Sequence, residues 1–135
     1  FRRFARHTGD HLRQYDISDP ANPKLTGQVW IGGMLGKAPE VNGRTVDGAP
    51  QMIQLSLDGK RLYVTTSLFS TWDNQFYPSM KDKGGIMLIV DCDSENGGMT
   101  IRDDFLVDFN DEPHGPARAH ETRYPGGDCS SDIWV

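Results

Sequence analysis

The clearest periodicity along the chain lies in "QMIQLSLDGKRLYVTTS", where Ile53, Leu55 and Leu57 alternate with Met52, Gln54 and Ser56. A period of two places the two sets on opposite faces of a strand. Asp58-Gly59 interrupts the alternation, and Leu62, Tyr63 and Val64 resume it. Glycine takes positive φ without steric cost, so this segment predicts a β-hairpin.

A second pattern occurs twice. "LRQYDISDPANP" begins at Leu12 and "MLIVDCDSENGG" at Met87, 75 positions later. Each is a short apolar strand followed by Asp-rich turn chemistry and breakers. Each is then followed by a further strand candidate, "KLTGQVWIGG" from Lys24 and "MTIRDDFLVDF" from Met99, again 75 positions apart. Chance rarely preserves one offset across two successive strands. The last segment, "AHETRYPGGDCSSDIWV" from Ala119, repeats the outline of Pro50 to Val64 at a looser offset of about 69.

Read in order, the chain predicts the third and fourth strands of one unit, a complete four-stranded unit over about 50–108, and the first two strands of another. Four-stranded units repeated in tandem are the pattern of β-propeller blades, which recur roughly every 40 to 50 residues. The complete unit is longer than that, so "SLFSTWDNQFYPSMKDKGG" is read as an insertion. Its Phe69, Trp72, Phe76 and Tyr77 are expected to fold back onto the propeller surface, covering one channel mouth or packing on a neighbouring blade that can lie outside this chain. The fold class expected is all-β, a partial propeller of about two blade-equivalents in residues 1–135. Two blades cannot close a ring, so the chain is read as part of a larger protein or a shortened copy of one. Its open sheet edges would pair with missing blades or with another copy.

Composition narrows the classes of partner. The chain has 135 residues, 36% apolar and 24% charged, with 15 Gly and 8 Pro. That suits one turn-rich globular domain. A net charge of −5 with interspersed signs leaves no basic stripe for a phosphate backbone, which argues against nucleic acid. No apolar run approaches the roughly 18 residues of a membrane span, and "FRRFARHTGD" lacks the apolar core of a signal peptide. A soluble intracellular protein is expected. Cys92 and Cys129 stand in no zinc or C-x-x-C spacing and are read as two free thiols. Phosphate-binding loops, hydrolase elbows and zinc-protease motifs are absent from the sequence, and Asp103, Asp104, Asp111 and Glu112 read as solvated charges.

The segments "LRQYDISDP", "APQMIQLSLDGKRLYVTTSL", "WDNQFYP", "FLVDF" and "HETRYPGGDCSSDIWV" together resemble the C-terminal portion of the selenium-binding protein family, also called methanethiol oxidases. The likeness runs from about Asp10 to Val135, while residues 1–9 diverge from the family's usual strand. The resemblance implies a seven-bladed YVTN/WD40-like propeller in the complete protein. It implies copper-dependent oxidation of methanethiol by O2 and water to formaldehyde, hydrogen sulfide and hydrogen peroxide, together with association with selenium. It also implies a cytosolic protein, with nuclear and peripheral membrane association among eukaryotic relatives. The family's selenium-associated cysteine lies in its N-terminal half, so no selenium-binding residue is carried onto this chain. A non-catalytic propeller module that binds or scaffolds is the alternative reading.

His120 matches a histidine of the family's C-terminal motif and is the candidate metal ligand, since neutral imidazole binds copper well. The plainer alternative is a histidine that hydrogen-bonds within its blade. His7 is a weaker candidate in the divergent start, standing where the family has a histidine just before Gly-Asp. Asp128 would orient a ligand by hydrogen bonding to it or, more simply, cap the turn after Gly126-Gly127. Cys129 has nothing nearby in sequence to lower its pKa and is read as inert, and His114, bracketed by Pro113 and Pro116, as an exposed loop residue. The 135-residue chain alone is expected to have no activity.

Overall fold

A computed structural model describes residues 2–6 and 10–120, which form seven strands and two short helices. The strands are β1 (Arg2–Arg6), β2 (His11–Asp16), β3 (Lys24–Trp30), β4 (Met52–Leu55), β5 (Arg61–Thr65), β6 (Ile86–Cys92) and β7 (Met99–Asp108). The helices α1 (Ser70–Phe76) and α2 (Met80–Lys83) both lie between β5 and β6. Every strand pairing is antiparallel and joins neighbours in sequence, giving a three-stranded sheet β1-β2-β3 and a four-stranded sheet β4-β5-β6-β7. The chain is thus mostly β-sheet, and among the described residues neither sheet closes into a barrel.

The predicted hairpin is β4-β5, with Gly59 at φ +71° in the turn. The carboxylate of Asp58 accepts from the Ser56 hydroxyl at 2.5 Å and from Lys60 N at 3.0 Å, which fixes the reversal. These bonds also hold the Asp58 carboxyl below its usual range, the Ser56 hydroxyl contributing most. The 75-residue repeat appears as two equivalent hairpins, β2-β3 and β6-β7, each with a register shift near the same point. The start of the chain differs from expectation, because Arg2–Arg6 pairs along β2 and gives the first sheet a third strand.

Cross-strand register assembles the core in layers. On one face of the four-stranded sheet Ile53 opposes Val64, which opposes Leu88, which opposes Leu106. Beside them run Leu55, Leu62, Val90 and Ile101. Apolar pairs stacked in this way are the unit of sheet stabilisation. The first sheet covers this face with Leu12, Val29 and Ile31, and the β3-β4 connection adds Val41 and Val46.

The two sheets approach closely at Gly27 in β3. A Cβ there would lie 2.9 Å from Met99 Cγ and 3.0 Å from the Gly98 carbonyl carbon. Gln14 spans the same junction from a fully buried position. Its Nε2 donates to Asp93 O at 3.0 Å, and its Oε1 accepts from Gly98 N at 2.9 Å and Thr26 Oγ1 at 3.1 Å. Opposite faces of the repeat meet here. Leu12 and Gln14 face the core from β2, whereas in β6 the core positions Leu88 and Val90 have the other parity relative to the 75-residue register.

In this chain the aromatic face of the insertion is open. Phe69, Trp72 and Phe76 are 52%, 49% and 42% exposed, and Tyr77 is half-buried. The three exposed rings stack on one another, with centroids 6.4 Å apart for Phe69 and Trp72 and 5.2 Å apart for Trp72 and Phe76. Within the same insertion Asp73 is 1% exposed and Met80 of α2 is fully buried.

Candidate functional site

The site is built where the end of β5, the start of α1 and residues 117–120 converge. Gly84 lets the last of these approach. It has φ +69°, and a Cβ there would stand 2.6 Å from Ala117 O. Gly85 N donates to Ala117 O at 2.9 Å, and Ala117 N donates to Phe109 O at 2.8 Å, so the segment is laid against the beginning of β6. Thr65 Oγ1 then donates to His120 O at 3.0 Å and holds its far end.

From this segment Arg118 and His120 both reach the α1 side. Arg118 Nη1 donates to Asp73 Oδ2 at 3.2 Å, and its Nη2 donates to Asn74 Oδ1 at 2.6 Å and Met80 O at 2.8 Å. The same Asp73 oxygen accepts from Ser67 Oγ at 2.6 Å and Leu68 N at 3.1 Å. A carboxylate in the first turns of a helix is also favoured by the backbone N–H groups exposed there. Asp73 Oδ1 is buried and has no protein partner. Burial, followed by the negative charges of Asp10 and Asp73, raises the Tyr77 phenol above its usual pKa.

His120 Nδ1 lies 2.8 Å from Leu68 O. A carbonyl only accepts, so this hydrogen bond requires the proton on Nδ1. In the neutral ring Nε2 then keeps its lone pair, the arrangement by which a carbonyl partner orients a metal-binding histidine. His120 is exposed, which leaves that nitrogen accessible to a ligand.

A copper centre would need about three or more nitrogen or sulfur donors. Among the described residues, no three His, Cys, Asp or Glu side chains are grouped to hold a metal ion. His120 fits the role of one ligand, but the described residues do not fit a complete copper site. His114 is exposed in a turn away from any strand. His7, Asp128 and Cys129 lie outside the described residues. Cys92 is buried, its Sγ donates to Val90 O at 3.5 Å, and burial with help from Asp91 pushes its thiol up to about 12. Such a thiol carries no thiolate at neutral pH and is a structural residue.

The sequence singles out His120 but not Asp73, Ser67 or Arg118, which the fold brings beside it. Arg118 stands two residues before His120, which in an extended segment puts both on one side. Its carboxylate partner is 45 positions away, and no spacing rule links the two.

The described residues thus carry, on tandem antiparallel sheets, a polar clamp that presents one histidine nitrogen. Comparison with known proteins is specific. The family model of the 56 kDa selenium-binding protein matches residues 4–135, and the chain belongs to that family. It is 55% identical over 141 aligned positions to selenium-binding protein 1 of Arabidopsis thaliana, covering 92% of this chain and 29% of that protein. It is 57% identical to the human methanethiol oxidase, covering 92% of this chain and 30% of that one. The X-ray structure of a hypothetical selenium-binding protein from Sulfolobus tokodaii superposes with a TM-score of 0.74 at 48% identity, covering 90% of this chain and 25% of that one. The chain therefore spans less than a third of the length of these relatives.

Proposed function

We propose that this chain supplies the C-terminal blades of a β-propeller methanethiol oxidase and contributes His120 to its copper centre. The observation that carries the assignment of His120 is its ring geometry, with Nδ1 tied to Leu68 O and Nε2 left as the donor. The front-to-back packing of the two sheets supports the propeller, since only unlike faces can stack unit after unit around a ring. The similarity to the human methanethiol oxidase supports the substrate. In the complete protein, methanethiol, O2 and water would give formaldehyde, hydrogen sulfide and hydrogen peroxide, with selenium association elsewhere in the molecule. Among the described residues His120 is one candidate ligand and no three donor side chains are grouped, so the 135-residue chain alone is expected to show no turnover.

The test measures copper content and hydrogen peroxide release on methanethiol in a full-length relative. It is repeated with alanine at the position equivalent to His120, where loss of copper supports the assignment. Retention of both properties would remove His120 from the site. A non-catalytic module that pairs with other blades or copies is favoured by one observation, the exposed stack of Phe69, Trp72 and Phe76. Light scattering at several concentrations separates the two: a clean monomer counts against the module.

A further inference from the structure

We infer that Asp73 and Arg118 are positioning residues that set the tautomer and direction of the His120 ring. The inference deepens the reading of His120 as a ligand and rests on it for its purpose, though not for its test. The contacts form a closed circuit. Asp73 Oδ2 holds Leu68 N at 3.1 Å, so the carboxylate fixes the very residue whose carbonyl meets His120 Nδ1 at 2.8 Å. Arg118 closes the other arm. Its guanidinium is anchored to Asp73, Asn74 and the Met80 carbonyl, and only Ala119 separates it from His120.

Both ends of the His120 contact are therefore anchored to one buried ion pair. Asp73 is 1% and the Arg118 side chain 13% exposed, so water competes little for the pair. Arginine suits this position because a planar fork can engage a carboxylate, an amide oxygen and a backbone carbonyl at once, which a lysine ammonium cannot match in direction. An unclamped imidazole exchanges its proton freely between two nitrogens. Held against a carbonyl, it keeps the proton on Nδ1 and presents Nε2. A ligand ring fixed before the metal arrives loses less freedom on binding it.

The experiment is nitrogen-15 NMR of the imidazole in the 135-residue chain, free of metal, at a pH where the ring is neutral. In the native chain the His120 signals are expected to show the Nδ1-H form. In Arg118→Met the ratio of Nδ1-H to Nε2-H is expected to fall by about fivefold, the equivalent of losing one ordinary hydrogen bond. Backbone amide shifts of β4 to β7 report whether the fold survives. Should Arg118→Met not fold, Arg118→Lys carries the test, with a smaller shift in the same direction expected. A native ring in the Nε2-H form, or an unchanged ratio in the folded variant, overturns the inference. A normal clamp together with undiminished copper in the His120 variant of the full-length relative would instead overturn only the reading of His120 as a ligand.

Discussion

Replacing Gln14 with leucine removes the polar side chain that joins the two sheets while nearly conserving volume. Three hydrogen bonds disappear, to Asp93 O, Gly98 N and Thr26 Oγ1. They are not equal in consequence. The Thr26 hydroxyl keeps a second acceptor, Gln14 O at 3.2 Å, which any residue at position 14 supplies. Gly98 N loses the acceptor it has in Gln14 Oε1, and Asp93 O loses its Gln14 donor. Leaving the part-buried Gly98 donor unmet costs about 1–3 kcal/mol and the lost bond to Asp93 O a further ~1 kcal/mol, which predicts a loss of about 2–4 kcal/mol. With an unfolding entropy of about 2.1 cal/mol/K per residue, a loss of that size lowers Tm by roughly 10 °C in a chain this long. Urea unfolding followed by far-ultraviolet circular dichroism measures it, with Gln28→Leu, an exposed position on β3, as a control expected within about 0.5 kcal/mol of native. A loss below about 1 kcal/mol for Gln14→Leu would refute the claim that this side chain couples the sheets.

Two further outcomes follow from burial. Cys92 has its thiol pushed up to about 12 in the folded chain from an ordinary value near 9, so above pH 9 the unfolded state releases this proton before the folded state does. Its contribution to stability is full below pH 9 and falls by at most about 1.4 kcal/mol per pH unit above it; Cys92→Val should flatten that decline in urea titrations, and the Cys92 peptide should resist alkylation at pH 8 until the chain unfolds. Trp72→Ala should cost only about 1 kcal/mol in thermal unfolding, the worth of its ring stacking, against the ~3–5 kcal/mol of a buried tryptophan. A cost in the upper range would mean that the aromatic face of α1 is covered.

Much of the sheet framework was legible because strand patterns and turn chemistry are local. The Asp58-Gly59 hairpin could be placed from alternation alone, and the 75-residue offset located β2-β3 and β6-β7. β1 was not legible, since "RRFAR" shows no alternation and becomes a strand through its pairing with β2. What was not legible in the insertion is its buried side: Asp73, not an aromatic, is the buried residue of α1, where Ser67 and Arg118 meet it. Of the candidate site, His120 was singled out through the family likeness, whereas Asp73 and Arg118 are ordinary charges until the fold brings them together across 45 positions.

The meeting of unlike faces between the two sheets also governs how association would propagate. A contact made by one face of a unit on the opposite face of another cannot satisfy itself in a symmetric pair, because each copy added leaves one used and one unused face. If these chains associate through the same kind of contact, their growth is polar, like a stack with a leading and a trailing end. It stops only by closing on itself. Association by this route would therefore appear as a concentration-dependent ladder of sizes rather than a discrete dimer.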